Sequence, residues 1–200
     1  MDKFQTLNTG SESLTIDSKP IGKTIGDFWS WSASNLLGNT LRGVFGEFIV
    51  ASALEIKLKH LRTEWQPYDF EYDNHKIEVK TSAYIQTWGG DKKSTIQFGI
   101  ALTRYWDAES GKFTEEEPKR HADIYVFGLL NCEDKNIVNP LNMSQWVFYV
   151  LHTSTLNERC PNQRTIGLTA LGKLQPYEAD YAHLKKVVDS ILKEKPLSTT

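Results

Sequence analysis

From Thr40 onward the apolar residues Leu41, Val44, Phe45, Phe48, Ile49, Val50, Ala51, Ala53, Leu54 and Ile56 surround nearly the whole circumference of a 3.6-residue period. That pattern predicts a helix over Thr40 to about Leu58, buried among other elements. A shorter helix is predicted over Thr24 to Leu37, capped near Asp27 and ended by Gly38-Asn39. At Tyr68 the period changes to two. The stretch YDFEY, then Asp73-Asn74, then HKIEVKTS reads as a β-hairpin with a tight turn. Further strands are predicted at Thr95–Leu102, Ala122–Leu130 and Gln145–His152, the second apolar enough to be covered on both faces. Thr153 or Ser154 is placed to cap a helical turn, and Thr165–Leu174 leaves helix and strand open. Ala179 to Lys195 predicts an amphipathic helix with Tyr181, Leu184, Val187, Val188, Ile191 and Leu192 on one stripe. Residues 1–23 carry no sustained apolar period and read as a polar arm, which leaves 24–200 as one domain of α/β class with a mixed central sheet flanked by helices. The polar stretch 104–121 is long for a loop, as recognition loops often are.

Composition narrows the class of protein without choosing a function. No apolar run approaches the roughly 20 residues of a membrane span, and the first residues lack the apolar centre of a signal peptide, so a cytoplasmic location without membrane contact is expected. Cys132 and Cys160 have no C-x-x-C partner, which argues against a disulfide framework or a cysteine-ligated zinc. The five histidines show neither H-x-x-x-H nor H-E-x-x-H spacing, and no phosphate-binding glycine loop is present. A net charge of -2 and a pI near 6.2 give no overall basic footprint for nucleic acid. Two short pairs, Lys92-Lys93 and Lys119-Arg120, are candidate phosphate contacts, with ordinary solvated loop charges as the alternative. Of the six tryptophans, Trp88 and Trp106 fall in predicted loops where they could stack on bases, while Trp29, Trp31, Trp65 and Trp146 are expected in the core.

The hairpin register brings charges together. With Asp73-Asn74 as a two-residue loop, Tyr72 faces His75, Phe70 faces Ile77 and Tyr68 faces Val79 on an apolar face. The other face then holds Asp69 opposite Glu78, with Cβ atoms about 5 Å apart, a spacing at which like charges destabilise a sheet. A divalent cation between the carboxylates would offset that repulsion, and Mg²⁺ favours such oxygen donors. Lys80 rises from the same face about 7 Å further along the strand, where it could serve a metal-bound water or a phosphate. Alone, E-V-K also suits an exposed strand with alternating charges. Glu47 adds a fourth member: its helical neighbours Gly43, Val44, Val50 and Ala51 make an apolar face, where an unpaired carboxylate is costly.

Glu47, Pro67-Tyr68-Asp69 and Glu78-Val79-Lys80 together resemble the PD-(D/E)xK nuclease superfamily over roughly residues 38–152. The resemblance implies a restriction-endonuclease-like αβββαβ core, with a helix between the third and last core strands. It also implies a Mg²⁺ or Mn²⁺ cofactor bound by Asp69, Glu78 and the Val79 carbonyl, with Lys80 serving the attacking water and Glu47 binding a second metal or orienting water. DNA would be the partner and phosphodiester hydrolysis the reaction. A homodimer would suit cutting both strands of a duplex, although no heptad seam or exposed apolar helix is legible. The alternatives are a nucleic-acid-binding or assembly module that keeps the fold without turnover, and a structural protein whose polar hairpin face is solvated.

Overall fold

Seven consecutive residues, Ile124–Leu130, are buried with side chains on both faces of a strand. Such a strand is stable only inside a sheet covered on both sides. The computed structural model describes residues 7–59, 61–62, 66–90, 92–104, 106–107, 111–113 and 117–193, with the side chains of 106 and 107 outside that description. In chain order its elements are β1 (Ser13–Ile16), β2 (Lys19–Thr24), α1 (Ile25–Ala33), α2 (Asn39–Ala53), β3 (Phe70–Tyr72), β4 (His75–Ala83), β5 (Gln97–Gly99), β6 (Trp106–Asp107), β7 (Lys112–Phe113), β8 (Ile124–Leu130), β9 (Trp146–His152), α3 (Thr153–Arg159), β10 (Thr165–Gly167), α4 (Leu168–Lys173), β11 (Tyr177–Ala179) and α5 (Leu184–Ile191). The protein is mixed α/β. Its five-stranded sheet has the order β11-β9-β8-β4-β3, with β4 parallel to β8 and every other neighbouring pair antiparallel. No helix among the described residues is long and apolar enough to cross a membrane.

Two cores lie on opposite faces of this sheet. On one, Ile49, Val50 and Leu54 of α2 and Leu184, Val188 and Ile191 of α5 meet Ile77, Val79, Val126, Phe148 and Val150. On the other, Phe98, Ile100, Leu156, Ile166 and Leu171 cover Tyr125, Phe127, Leu129 and Leu151. Helix α2 comes unusually close to β4. A Cβ added at Gly46 would lie 2.1 Å from Thr81 Cγ2, so glycine is what allows the helix axis to settle against this strand.

The hairpin has the expected register as far as Phe70↔Ile77, Glu71↔Lys76 and Tyr72↔His75, but Tyr68 does not face Val79 on the apolar side: it packs with the core on the other face of the sheet, and its hydroxyl donates to Glu71 Oε1 at 2.6 Å. Asp73 and Asn74 have φ of 49° and 61°, the paired left-handed conformation of a two-residue turn whose twist matches its strands. The predicted strand at 95–102 keeps its alternation, with Ile96, Phe98 and Ile100 buried, but only Gln97–Gly99 is strand. It pairs with β10 outside the main sheet, because the doubly apolar β8 takes the place beside β4. Among the described residues between β4 and β8 there is no helix, and between β8 and β9 the chain forms only the three-residue 3-10 turn Met143–Gln145. The main sheet is therefore reached by a different element order from αβββαβ. Helix α2 buries one side rather than its whole circumference, with Phe48 exposed, and it ends at Ala53, short of Leu58, where Glu55 turns to a φ of 59°.

Two terminal expectations change. Residues 13–24 form the β1–β2 hairpin, followed by α1, whose capping box has Thr24 N–H donating to Asp27 Oδ2 at 2.8 Å and Asp27 N–H donating to Thr24 Oγ1 at 3.2 Å. Alternation of polar with single apolar residues hides this hairpin, since neither face is buried. Helix α1 likewise buries no residue, so Trp29 and Trp31 are exposed by 40% and 83% where a core position was expected. An exposed apolar helix thus exists that the sequence did not disclose. Trp146 is buried as expected; Trp65 lies outside the described residues. At the other end the helix begins at Leu184, not Ala179, because the backbone of β11 pairs with the edge of β9 and Asp180 Oδ1 accepts from His183 N–H at 2.9 Å. Its apolar stripe is the predicted one; residues 194–195 lie outside the description.

Gly46→Ala is expected to cost about 1–3 kcal/mol, the usual range for forcing a methyl into a filled space. Thr81→Ser, which deletes the opposing methyl, should recover most of that cost in the double variant. Denaturant unfolding of the four proteins measures the coupling; equal costs in both backgrounds would mean that the contact does not set the helix position.

Candidate active site

The strand pairing of β3 stops at Phe70, and Asp69, one residue nearer the N-terminus, meets the edge of β4 through its side chain as well as its backbone. Asp69 N–H donates to Ile77 O at 3.0 Å, and Asp69 Oδ2 accepts from Val79 N–H at 2.6 Å. Asp69 is therefore not the regular cross-strand partner of Glu78 that the hairpin register suggests. It is anchored on either side of Glu78, one residue out of step, because its carboxylate takes a strand-edge donor that no neighbouring strand uses. The Val79 carbonyl points toward the same edge as its N–H, as in any extended strand.

Glu78 and Lys80 emerge from β4 on the face away from α2, since the alternate residues Ile77, Val79 and Ala83 pack with that helix. The Lys80 ammonium pairs with Glu78 Oε1; their side chains are 35% and 15% exposed. Glu47 reaches the group from α2 and accepts a two-pronged ion pair from Arg62, Nε to Oε2 at 2.6 Å and Nη2 to Oε1 at 2.8 Å. Beneath lies Tyr125, brought beside Glu78 by the parallel pairing of β4 with β8 and almost fully buried.

The electrostatics show how closely these groups sit. Burial, then the charges of Glu78 and Glu47, push the Asp69 carboxyl from an ordinary 3.8 up to about 7, against the stabilising Val79 N–H and Lys80. For Lys80, burial works to lower the pKa, but Glu78 and the other two carboxylates outweigh it and hold the ammonium above its usual range. Burial, and then the charge on Glu78, raises the Tyr125 phenol. Three carboxylates thus face two cations, Lys80 and Arg62, and Asp69, the acid with no ion-pair partner among the described residues, keeps its proton up toward neutral pH.

A cleft of about 530 Å³ opens beside this group, bounded by Glu47, Asp69 and Arg62 and otherwise by mainly apolar side chains. Among the described residues, no group of three or more histidine, cysteine, aspartate or glutamate side chains is gathered closely enough to hold a metal ion. Asp69 and Glu78 carry oxygen donors of the kind a hard cation takes, Glu78 being paired with Lys80 as Glu47 is with Arg62. The residues that could hold one divalent cation are Asp69 and Glu78, with the Val79 carbonyl on the strand edge where Asp69 is anchored.

Other residues singled out from the sequence lie elsewhere. Trp88 is exposed, as are Lys92 and Lys93, and Lys93 pairs with Glu133. None of the three lines the cleft. The Trp106 side chain lies outside the described residues. Lys119 faces solvent, but Arg120 is turned inward and is not available to a phosphate. Its guanidinium donates to Ile100 O and Cys160 O at 2.8 Å and to Asn157 Oδ1 at 2.9 Å, tying the β5 segment to α3 and the turn after it. Sequence reasoning missed Arg62 and Tyr125. Arg62 lies in no periodic segment, and the only trace of Tyr125 was a phenol within an otherwise apolar strand. The chain matches no family model, no curated protein and no solved structure.

An acid with a raised pKa in the folded state binds its proton more tightly there than when unfolded. The stability it contributes is complete below about pH 4 and is lost as pH rises through about 7. Asp69→Asn should therefore flatten the decline in stability of the metal-free protein over that window. Thermal unfolding of both proteins across it measures the difference; parallel curves would show that Asp69 does not carry the burden assigned to it.

Proposed function

We propose that this protein is a metal-dependent nuclease hydrolysing phosphodiester bonds in DNA, using two carboxylates and a lysine in the manner of the PD-(D/E)xK motif. The observation that carries the proposal is the anchoring of Asp69 by Val79 N–H on the edge of β4 beside Glu78, with the Lys80 ammonium on the same strand. Two carboxylates and a backbone carbonyl on one edge form an oxygen donor set for Mg²⁺ or Mn²⁺, and a cation there would offset the repulsion that Asp69 meets from Glu78 and Glu47. When bound, the ion supplies Lewis-acid stabilisation of the phosphoryl oxygens and a more acidic water.

The chain's own residues divide the remaining work. Lys80, held charged by Glu78, suits orientation of the attacking water or stabilisation of negative charge developing on the phosphate. A lysine kept protonated in this way is an electrostatic group rather than a resting base. Arg62 fixes the Glu47 carboxylate in position, so that Glu47 acts on water or cation from the helix side. Tyr125 forms the low-polarity floor that strengthens these charge interactions.

A second reading keeps DNA binding or assembly and drops turnover. It is favoured by the cation partners that Glu78 and Glu47 already have within the chain, Lys80 and Arg62. Nicking of supercoiled plasmid with Mg²⁺ or Mn²⁺, abolished by a chelator, separates the two.

Alanine at Asp69 or Glu78 is expected to weaken Mn²⁺ binding and abolish nicking together. Lys80→Ala should leave Mn²⁺ affinity intact or slightly improved while cleavage falls about 10²–10³-fold, as for loss of a transition-state donor. Calorimetry and the plasmid assay on the same variants measure both. A Lys80→Ala protein that cuts as fast as the parent would overturn this mechanism. Glu47→Gln should lower cleavage; unchanged cleavage and metal affinity would remove Glu47 from the site.

A further inference from the structure

The cleft beside the carboxylates has a composition that the chemistry of hydrolysis does not require. Phe48, Leu58 and Leu61 are exposed large apolar side chains, and all three line it together with Phe70. Phe48 is 53% exposed, yet its ring is not adrift: it stacks on Phe45 with centroids 6.3 Å apart, and Phe45 meets the buried Trp146 edge-on at 6.5 Å. A flat ring is thus tied to the core through Phe45 while it lines the cleft. Lys57 and Lys59 also line the cleft, beside Arg62, which is paired with Glu47, and the presence of Glu47 and Asp69 in the lining joins it to the candidate active site. Apolar walls with an aromatic face, cations and continuity with a phosphodiester-cleaving centre suit an amphipathic, anionic ligand, one flat ring joined to a phosphate.

We infer that the cleft receives an unstacked nucleobase of the strand being cut, next to the scissile phosphate, with Lys57 and Lys59 on the neighbouring phosphates and Phe48 as the stacking surface. The inference rests on the nuclease reading and narrows it: the substrate is single-stranded DNA, or duplex with a frayed or flapped end, rather than intact duplex. A volume of about 530 Å³ falls within the range of small-ligand sites and does not admit a duplex, whose bases are stacked and paired. Unpaired bases offer the aromatic face that a paired stack conceals, and extracting one from a duplex costs free energy that a single strand does not pay.

The test uses the full chain, a fluorescein-labelled mixed-sequence DNA strand, and the same strand annealed to its complement. In a chelator, where binding is read without cleavage, anisotropy should give tighter binding of the single strand than of the duplex. Phe48→Ala should weaken single-strand binding about tenfold or more, the scale of one lost base stack, with little effect on duplex. Phe48→Tyr keeps the aromatic face and should bind as the parent does. With Mg²⁺, the single strand and a flapped duplex should be cut faster than a blunt duplex, and Phe48→Ala should lose that preference. Equal binding of both DNA forms, or Phe48→Ala indistinguishable from the parent, overturns the inference. A concentration-dependent dimer that Phe48→Ala abolishes also overturns it, assigning the cleft to a second copy of the chain. The two readings fail separately. Cleavage independent of Phe48 sinks the base cleft and leaves the nuclease, whereas Phe48-dependent single-strand binding with no cleavage in any metal sinks the nuclease and leaves the cleft.

Discussion

Burial of β8 on both faces is the constraint on which the rest of the structure depends. Seven apolar or small residues in succession can be taken out of water only by strands on either side and layers above and below. β4 and β9 provide the flanks, α2 and α5 one layer, and β5, β10, α3 and α4 the other. The consequence for chemistry is direct. By pairing in parallel with β8, β4 sets Glu78 beside Tyr125 and keeps its other edge for β3, which covers only its first residues.

The uncovered part of that edge concentrates charge. A strand-edge N–H without a strand partner needs an acceptor, and Asp69 provides one to Val79. Doing so brings the carboxylate into the company of Glu78 and, from α2, Glu47. Lys80 and Arg62 each engage one of the other acids, which limits the repulsion without cancelling it. In the proposed reading a bound cation would offset the repulsion that remains, and the oxygen-only character of the donors suits a hard one. The close seating of α2, made possible by Gly46 against Thr81, fixes how near Glu47 can come.

The same helix carries both parts of the proposed site. Glu47 and Phe48 are consecutive and both line the cleft, which places the acid and the ring on adjoining parts of one surface. Phe45, three residues earlier, anchors the Phe48 ring to Trp146 and thus to the core. Rigidity in the apolar wall and in the acidic centre then has one origin, the packing of α2 on the sheet, and this supports treating the cleft and the carboxylates as one functional surface.

Local pattern was enough for much of this. The alternation through 68–82 with Asp73-Asn74 at its centre specified the hairpin, since side-chain direction in a strand and the left-handed turn are short-range properties. The helix following Gly38, the doubly apolar strand at Ile124–Leu130 and the stripe of α5 were equally legible as elements, although α2 buries only one side and leaves Phe48 exposed where burial all round was expected. Glu78 and Lys80 could be placed on one face by the strand alternation. What the local pattern did not contain is which partner satisfies each demand. That β8 rather than 95–102 lies beside β4, that Asp69 slips out of register to accept from Val79, that Arg62 meets Glu47, and that Arg120 turns inward onto carbonyls all depend on contacts between residues far apart in the chain. Such pairings are chosen by competition among whole surfaces for burial and hydrogen bonds, so the sequence determined the elements and the residues of the candidate site, while only the tertiary structure decided their neighbours and, through them, their charge.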